Sequence, residues 1–294
     1  VFRGLAELGL FGVAVAEEDG GAGGSVTDLC AMLDEAAYAL TPGPVVTTAL
    51  ATLVIDEPGL RGRLCTGDLT AGVAFEADLR EDSGGRVSGT ADYVLGALTT
   101  GVLILPIGER IVAVDAAAEG VTVEPLSATD FSRPLARVML RNSPATRLAV
   151  SRRRLGDLAA TLLAAEAAGV ARWALHTAAE YAKVREQFGK PIGSFQAVKH
   201  LCAEMLLRSQ QVAVAAADAA QVAAGPEDAD QLSIAVAVAA AVGIGAAKGN
   251  AKDCIQVLGG IGITWEHDAH LYLRRAYALG QLLGGRPQWL RRVG

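Results

Sequence analysis

Apolar positions along the chain follow three different rhythms. From Phe2 to about Leu64 they are helical: Leu5, Leu8, Leu10 and Phe11 open the pattern, and Leu29, Met32, Leu33, Ala36, Ala37 and Leu40 recur at three-and-four spacing. The run Gly20-Gly21-Ala22-Gly23-Gly24 separates two helical stretches, Ser25 or Thr27 is placed to cap the second, and Thr41-Pro42-Gly43-Pro44 ends it. From about Ala71 to Val150 the apolar residues gather instead into short runs: Ala71–Phe75, Tyr93–Leu95, Val102–Pro106, Ile111–Val114 and Val121–Val123. Gly, Asp and Ser punctuate them, which predicts antiparallel strands of a small barrel or sandwich. From Leu155 onward the helical rhythm returns almost to the end, with candidate helices over 155–187, 194–224, 227–260 and 266–283.

Long helices joined by connectors as short as Gly189-Lys190-Pro191 and Ala224-Gly225-Pro226 predict an antiparallel bundle. The expected architecture is therefore α+β. It has an N-terminal helical domain (1–66), a small middle β domain (67–149) and a C-terminal four-helix bundle (150–294).

Composition sharpens this picture. Hydrophobic residues are 51% of the chain but aromatics only 5%, so the apolar mass is mostly Ala, Val and Leu, which suits closely approaching helices. No stretch reads as the 18 to 20 unpunctuated apolar residues that a bilayer span needs. The nearest, Leu232 to Ala247, is expected to be a buried bundle helix rather than a membrane segment. The net charge of −6 and the absence of a basic block argue against nucleic acid as partner. Arg152-Arg153-Arg154 reads as a solvated segment before a helix. Cys30, Cys65, Cys202 and Cys254 are widely spaced, which argues against structural zinc or a disulfide framework. The chain opens at Val1 without an initiator Met or a charged-then-apolar pattern, and a cytoplasmic setting is expected.

Two motifs carry candidate chemistry. The first is Arg185-Glu186-Gln187-Phe188-Gly189-Lys190-Pro191-Ile192-Gly193-Ser194-Phe195-Gln196, where one helix is expected to end and the next to begin. Such a corner gathers a guanidinium, an amide and helix N-terminal N–H groups, the components of a pyrophosphate site. An ordinary helix corner with an exposed Arg accounts for the same residues. The second is Gln256-Val257-Leu258-Gly259-Gly260-Ile261-Gly262, whose glycines allow a sharp helix end and close backbone approach. A plain helix C-cap explains it equally well.

Taken together, these two motifs closely resemble the C-terminal signatures of acyl-CoA dehydrogenases. Leu8-Gly9-Leu10-Phe11-Gly12-Val13, followed by Glu17-Glu18-Asp19-Gly20-Gly21, resembles the N-terminal helical domain of that family. The resemblance implies an FAD cofactor, an acyl-CoA substrate and an electron-transfer flavoprotein as acceptor. It also implies that Arg185, Gln187, Phe188 and Gln196 reach across an interface to the pyrophosphate and adenine of a neighbouring subunit's FAD, joined there by Gln256, Val257, Gly259 and Gly260.

The chain departs from the family where the chemistry is done. α,β-Dehydrogenation of a thioester needs a carboxylate base, yet the two positions where members carry it correspond to Leu283 or Gly284 and to Ala159. Glu166, two turns further along the same helix, is the neighbouring acid that could substitute, or else a polar residue at a packing position. Glu266, His267, Asp268 and His270 form the other titratable cluster; no third metal ligand at fitting spacing is apparent, and Thr264 or Asp268 is expected to cap a helix there. The family's flavin-contacting loops are missing from the β segment, where Phe75 leads through Glu76–Arg86 straight into Val87–Val94. The expectation is a base-lacking subunit that grips the flavin of a paralogous full-length partner in an α2β2 heterotetramer, of the actinobacterial steroid side-chain type. Three alternatives remain: a self-sufficient homotetrameric dehydrogenase using Glu166, a non-enzymatic scaffold, and a flavin monooxygenase on the same fold.

Overall fold

The computed structural model describes residues 1–98, 101–225, 229–282 and 284–293. Its elements run α1 (Phe2–Glu7), α2 (Val26–Tyr38), α3 (Val45–Val54), α4 (Pro58–Cys65), β1 (Ala71–Val73), β2 (Asp78–Glu81), β3 (Arg86–Leu95), β4 (Val102–Ile107), β5 (Arg110–Asp115), β6 (Val121–Pro125), β7 (Leu135–Pro144), β8 (Thr146–Leu148), α5 (Arg152–Val184), β9 (Glu186–Gln187), β10 (Lys190–Pro191), α6 (Gln196–Ala224), α7 (Ala229–Leu258), α8 (Ala269–Leu282) and α9 (Arg286–Val293). The α+β class is as expected. The chain gathers into two compact units, Val1–Leu29 with Thr41–Ala159, and Cys30–Leu40 with Ala160–Gly294.

In the first unit, α2 opens on a capping box. The backbone N–H of Ser25 donates to Asp28 Oδ2 at 2.8 Å, while the Asp28 N–H reaches Ser25 Oγ at 3.4 Å. The strands form one eight-stranded sheet in the order β6-β7-β3-β1-β4-β5-β8, with β2 added on β3. The sheet is not wholly antiparallel as expected: β1 and β4 pair in parallel, with Ala71 opposite Val102. The chain between them makes β2 and β3 before returning, so β4 arrives in the direction of β1. Strands β2, β7 and β8 escaped the sequence reading, although Ala136, Val138 and Leu140 of β7 alternate into the core beside Val87, Val94, Leu103 and Leu105.

Arg152 is not simply solvated either. Its guanidinium donates to the carbonyl oxygens of Phe75 (3.0 Å) and Gly108 (3.3 Å), tying the first residue of α5 to two loops of the sheet.

The second unit is the bundle of α5–α8, extended by α9 and by the last turns of α2. Alanine lets the helices close up, and Gly169 shows how far. A Cβ there would lie 2.2 Å from the Asp34 carbonyl oxygen, so α2 and α5 touch through their backbones. Where axes come this near, polar side chains stitch them. Buried Asn250 on α7 donates to the carbonyl oxygens of Ala171 on α5 (3.0 Å) and Met205 on α6 (2.9 Å). Two helical segments, Arg152–Val184 and Ala229–Ile263, are long and apolar enough by length and composition to cross a bilayer, contrary to the sequence reading. Their apolar windows are 89% and 61% buried in the protein, as core helices of a bundle require.

Candidate functional site

α5 stops at Val184, short of the expected Gln187, because the chain turns into a two-stranded ribbon that sequence period did not reveal. Gln187 pairs with Lys190 and Glu186 with Pro191, leaving Phe188 and Gly189 as a two-residue turn with φ of +53° and +77°. Positive φ at both central residues is the type I′ hairpin arrangement, which Asn-Gly fills readily. A bulky aromatic at the first position is strained. Strained residues that persist in a fold tend to do so for function, and Phe188 is 91% exposed. Every residue from Lys183 to Pro191 is exposed, Arg185 and Gln187 included. The ribbon is anchored behind, where the Ile192 N–H donates to the Arg185 carbonyl oxygen at 2.7 Å.

α6 begins at Gln196 with no side-chain cap, Phe195 occupying the cap position. The first N–H groups of this 29-residue helix, at the positive end of its dipole, are thus left by side chains for another acceptor. Arg185, Lys190 and Lys199 place positive charge around that end of a chain whose net charge is −6.

The second motif is brought to the same end of the bundle. Ala182 of α5, Ile192 and Val198 around the start of α6, and Val257 and Leu258 at the end of α7 share one hydrophobic cluster. α7 ends at Leu258 and passes into a 3-10 turn over Gly259–Ile263. The three glycines differ in what they do. Gly259 has φ +63° and requires glycine for its backbone. Gly262 requires it for space, since a Cβ would meet Leu258 Cβ at 2.9 Å. Gly260 has neither reason: nothing within 4 Å would touch its Cβ. A bare, exposed backbone that the chain's own packing does not explain is what close approach of a ligand would require.

The remaining candidates separate. Gln256 is exposed beside the glycines, whereas the side chain of Val257 is only 6% exposed and belongs to the core cluster, which leaves its backbone for any ligand contact. Ala159, which the resemblance sets at one expected base position, is 1% exposed. Gly284, set at the other, has φ +81°; Leu283 lies outside the described residues. Glu166 is 4% exposed, and its Oε1 is 3.4 Å from Nη1 of Arg275, itself 1% exposed. That environment favours a structural ion pair joining α5 to α8 over an acid that meets substrate. The α8 start is capped by neither Thr264 nor Asp268 side chains but by His267, whose Nδ1 accepts from the Ala269 N–H at 3.1 Å; the Thr264 hydroxyl instead donates back to the Ile261 carbonyl oxygen at 2.8 Å. His270 lies edge-on to Trp265, with ring centroids 4.6 Å apart.

The fold and this arrangement define a class. Residues 1–60 match the family described as acyl-CoA dehydrogenase, N-terminal domain, and residues 150–293 match acyl-CoA dehydrogenase, C-terminal domain. The chain is 34% identical over 287 residues to acyl-CoA dehydrogenase IpdE2 of Mycobacterium tuberculosis, covering 98% of this chain and 83% of that protein. It is 65% identical over 294 residues to acyl-CoA dehydrogenase FadE34 of the same organism, covering 100% of this chain and 41% of that protein. It thus spans about two fifths of FadE34. The solved Tcur3481-Tcur3483 steroid acyl-CoA dehydrogenase superposes with a TM-score of 0.92 at 30% identity, over 100% of this chain and 86% of that chain. The chain belongs to the acyl-CoA dehydrogenase family, a family of oxidoreductases whose cofactor is FAD.

Proposed function

We propose that the chain is the flavin-gripping, base-lacking unit of a heteromeric acyl-CoA dehydrogenase that forms the α,β double bond of a CoA thioester, with a steroid side chain as the acyl group. The observation that carries this reading is the exposed corner: a strained, solvent-facing Phe188 and a Gly260 open to solvent, at the same bundle end, in a chain whose described base positions are an alanine and a glycine. In this reading Arg185 and Gln187 hold the pyrophosphate of a partner's FAD together with the first N–H groups of α6. Phe188 lies against the adenosine part, and Gln196, Gln256 and the Val257–Gly260 backbone complete the enclosure. FAD, when bound, supplies the hydride acceptor; the base, the ring contacts and most of the acyl pocket come from the partner, a paralogous full-length dehydrogenase unit in an α2β2 assembly. Electron-transfer flavoprotein is the proposed acceptor and the cytoplasm the proposed setting. The two-part name of the steroid relative supports a heteromer. FadE34 has about three fifths of its length beyond the matched part, enough for such a partner unit to lie in one polypeptide with this one.

The test is co-expression of the chain with a base-bearing paralogue, followed by purification and an absorbance spectrum. A yellow complex that is bleached by a steroid-type acyl-CoA, beside a colourless isolated chain, is the expected result. A colourless co-purified complex overturns the reading, as does an isolated chain that holds and reduces FAD alone.

A further inference from the structure

We propose that Lys190 is a positioning residue of the flavin corner, acting through the ring of Phe195 and not on a phosphate; the inference rests on the clamp reading above. The ribbon of Glu186–Gln187 with Lys190–Pro191 has two residues per strand, too few to hold itself, since even longer isolated hairpins are marginal in water. Its turn is strained at Phe188. Something outside the ladder must therefore keep the Phe188 ring in place. Among the described residues, Phe195 lies edge-on to it, with centroids 6.0 Å apart and planes at 86°. Phe195 is itself half-buried at the head of α6, a firm base for a contact.

The Lys190 ammonium lies 4.5 Å from the centroid of that same ring, within the range where a cation is drawn to the ring's negative face. Lys190 thus spans from the far side of the turn to the ring at the head of α6, adding a side-chain tie to the backbone anchor at Arg185 and Ile192. The arrangement, Lys190 on Phe195 and Phe195 against Phe188, fixes the aromatic tip without using a hydrogen bond of the ribbon. An ammonium engaged in this way is held off the flavin phosphates, which are left to Arg185 and the α6 N-terminus.

The experiment is a double-mutant cycle on FAD affinity in the complex with the base-bearing unit, using Lys190→Met, Phe195→Leu, the pair together, and Lys190→Arg. A parallel arm places 4-fluorophenylalanine at position 188 of the isolated chain and reads its fluorine resonance. Lys190→Met and Phe195→Leu are each expected to weaken FAD about two- to fivefold, as an exposed cation–π contact predicts. The double variant should be no worse than Phe195→Leu alone. Lys190→Arg should rescue, because a guanidinium keeps the ring contact. The fluorine resonance should move in Lys190→Met and Phe195→Leu but not in Arg185→Ala. Losses that multiply, or a Lys190→Met loss that persists without the Phe195 ring and shrinks with salt, would mark a direct phosphate contact and overturn the proposal. An unmoved resonance in Lys190→Met overturns it too. If Arg185→Ala leaves FAD affinity unchanged, the clamp reading itself fails, and the fluorine arm still decides the role of Lys190.

Discussion

The two ends of α5 have been put to opposite uses. Near its start Ala159 is buried, and from the next residue on Ala160, Leu163, Ala164 and Ala167 meet Ala240, Gly243, Ile244 and Leu279 around a cavity of about 10 Å³. That is about the space of one water-sized probe, so the helices here are closely packed. The buried acids of α5 are both paired: Glu166 faces Arg275, and Asp157 lies 4.0 Å from Arg153. At the other end the helix releases into a ribbon that is wholly exposed, strained at Phe188 and flanked by positive charge. Around Ala159 the helix has a close-packed interior; at its far end it gives way to an exposed and strained backbone that contributes nothing to the core. The difference teaches that one helix can serve the core at one end and present exposed groups to a ligand or partner at the other.

The comparison can be broken most directly at the packed end. Removing one member of a buried ion pair costs the other its opposite charge in a low-dielectric site, so Arg275→Ala should destabilise the chain by about 3 kcal/mol in chemical denaturation. Glu166→Gln should likewise lower stability while leaving turnover per bound flavin in the complex unchanged; a loss of turnover with FAD still bound would make Glu166 a base after all. At the exposed end the ordering reverses. Arg185→Ala should leave the melting temperature of the isolated chain unaltered, yet weaken FAD in the complex by about 10- to 150-fold, corresponding to a charge-assisted contact of about 1.5–3 kcal/mol. A Cβ at Gly260 meets nothing within 4 Å, so the stability of Gly260→Ala should stay within about 0.5 kcal/mol of the parent while FAD affinity in the complex drops about tenfold. If unfolding shows a large loss instead, the glycine is structural and the comparison is blunted there. The smallest effect is expected at Phe188→Asn. Asn tolerates positive φ, so the isolated chain should gain up to about 1 kcal/mol as strain is relieved, whereas the complex should hold FAD less tightly. A variant that loses stability would mean the turn is not strained.

Much of this was legible in the sequence, for identifiable reasons. The helical rhythm of Leu29, Leu33 and Ala37, and the alanine-rich runs after Leu155, report burial on one face, and all three of those early positions are in the core. The family was legible because the order of residues along its two C-terminal motifs is itself the signature. What escaped was of two kinds. The Glu186–Pro191 ribbon has too few residues and no apolar alternation, so no period exists to be read. β7 does alternate, but Arg137, Arg141 and Asn142 give it a polar look until β3 and β6 are seen on either side of it. Arg152 looked solvated because its acceptors, Phe75 and Gly108, are 77 and 44 residues away in sequence.

By itself, then, the sequence determined the family and the α+β class, because periodicity, glycine placement and motif spacing are local properties of a chain. The tertiary structure alone decided which groups are available to a ligand. It turned the side chain of Val257 into the core, engaged Glu166 with an arginine 109 residues distant, set Lys190 on the ring of Phe195, and left Phe188 and Gly260 open. Burial and electrostatic pairing depend on partners from remote parts of the chain, and only folding brings those partners within reach.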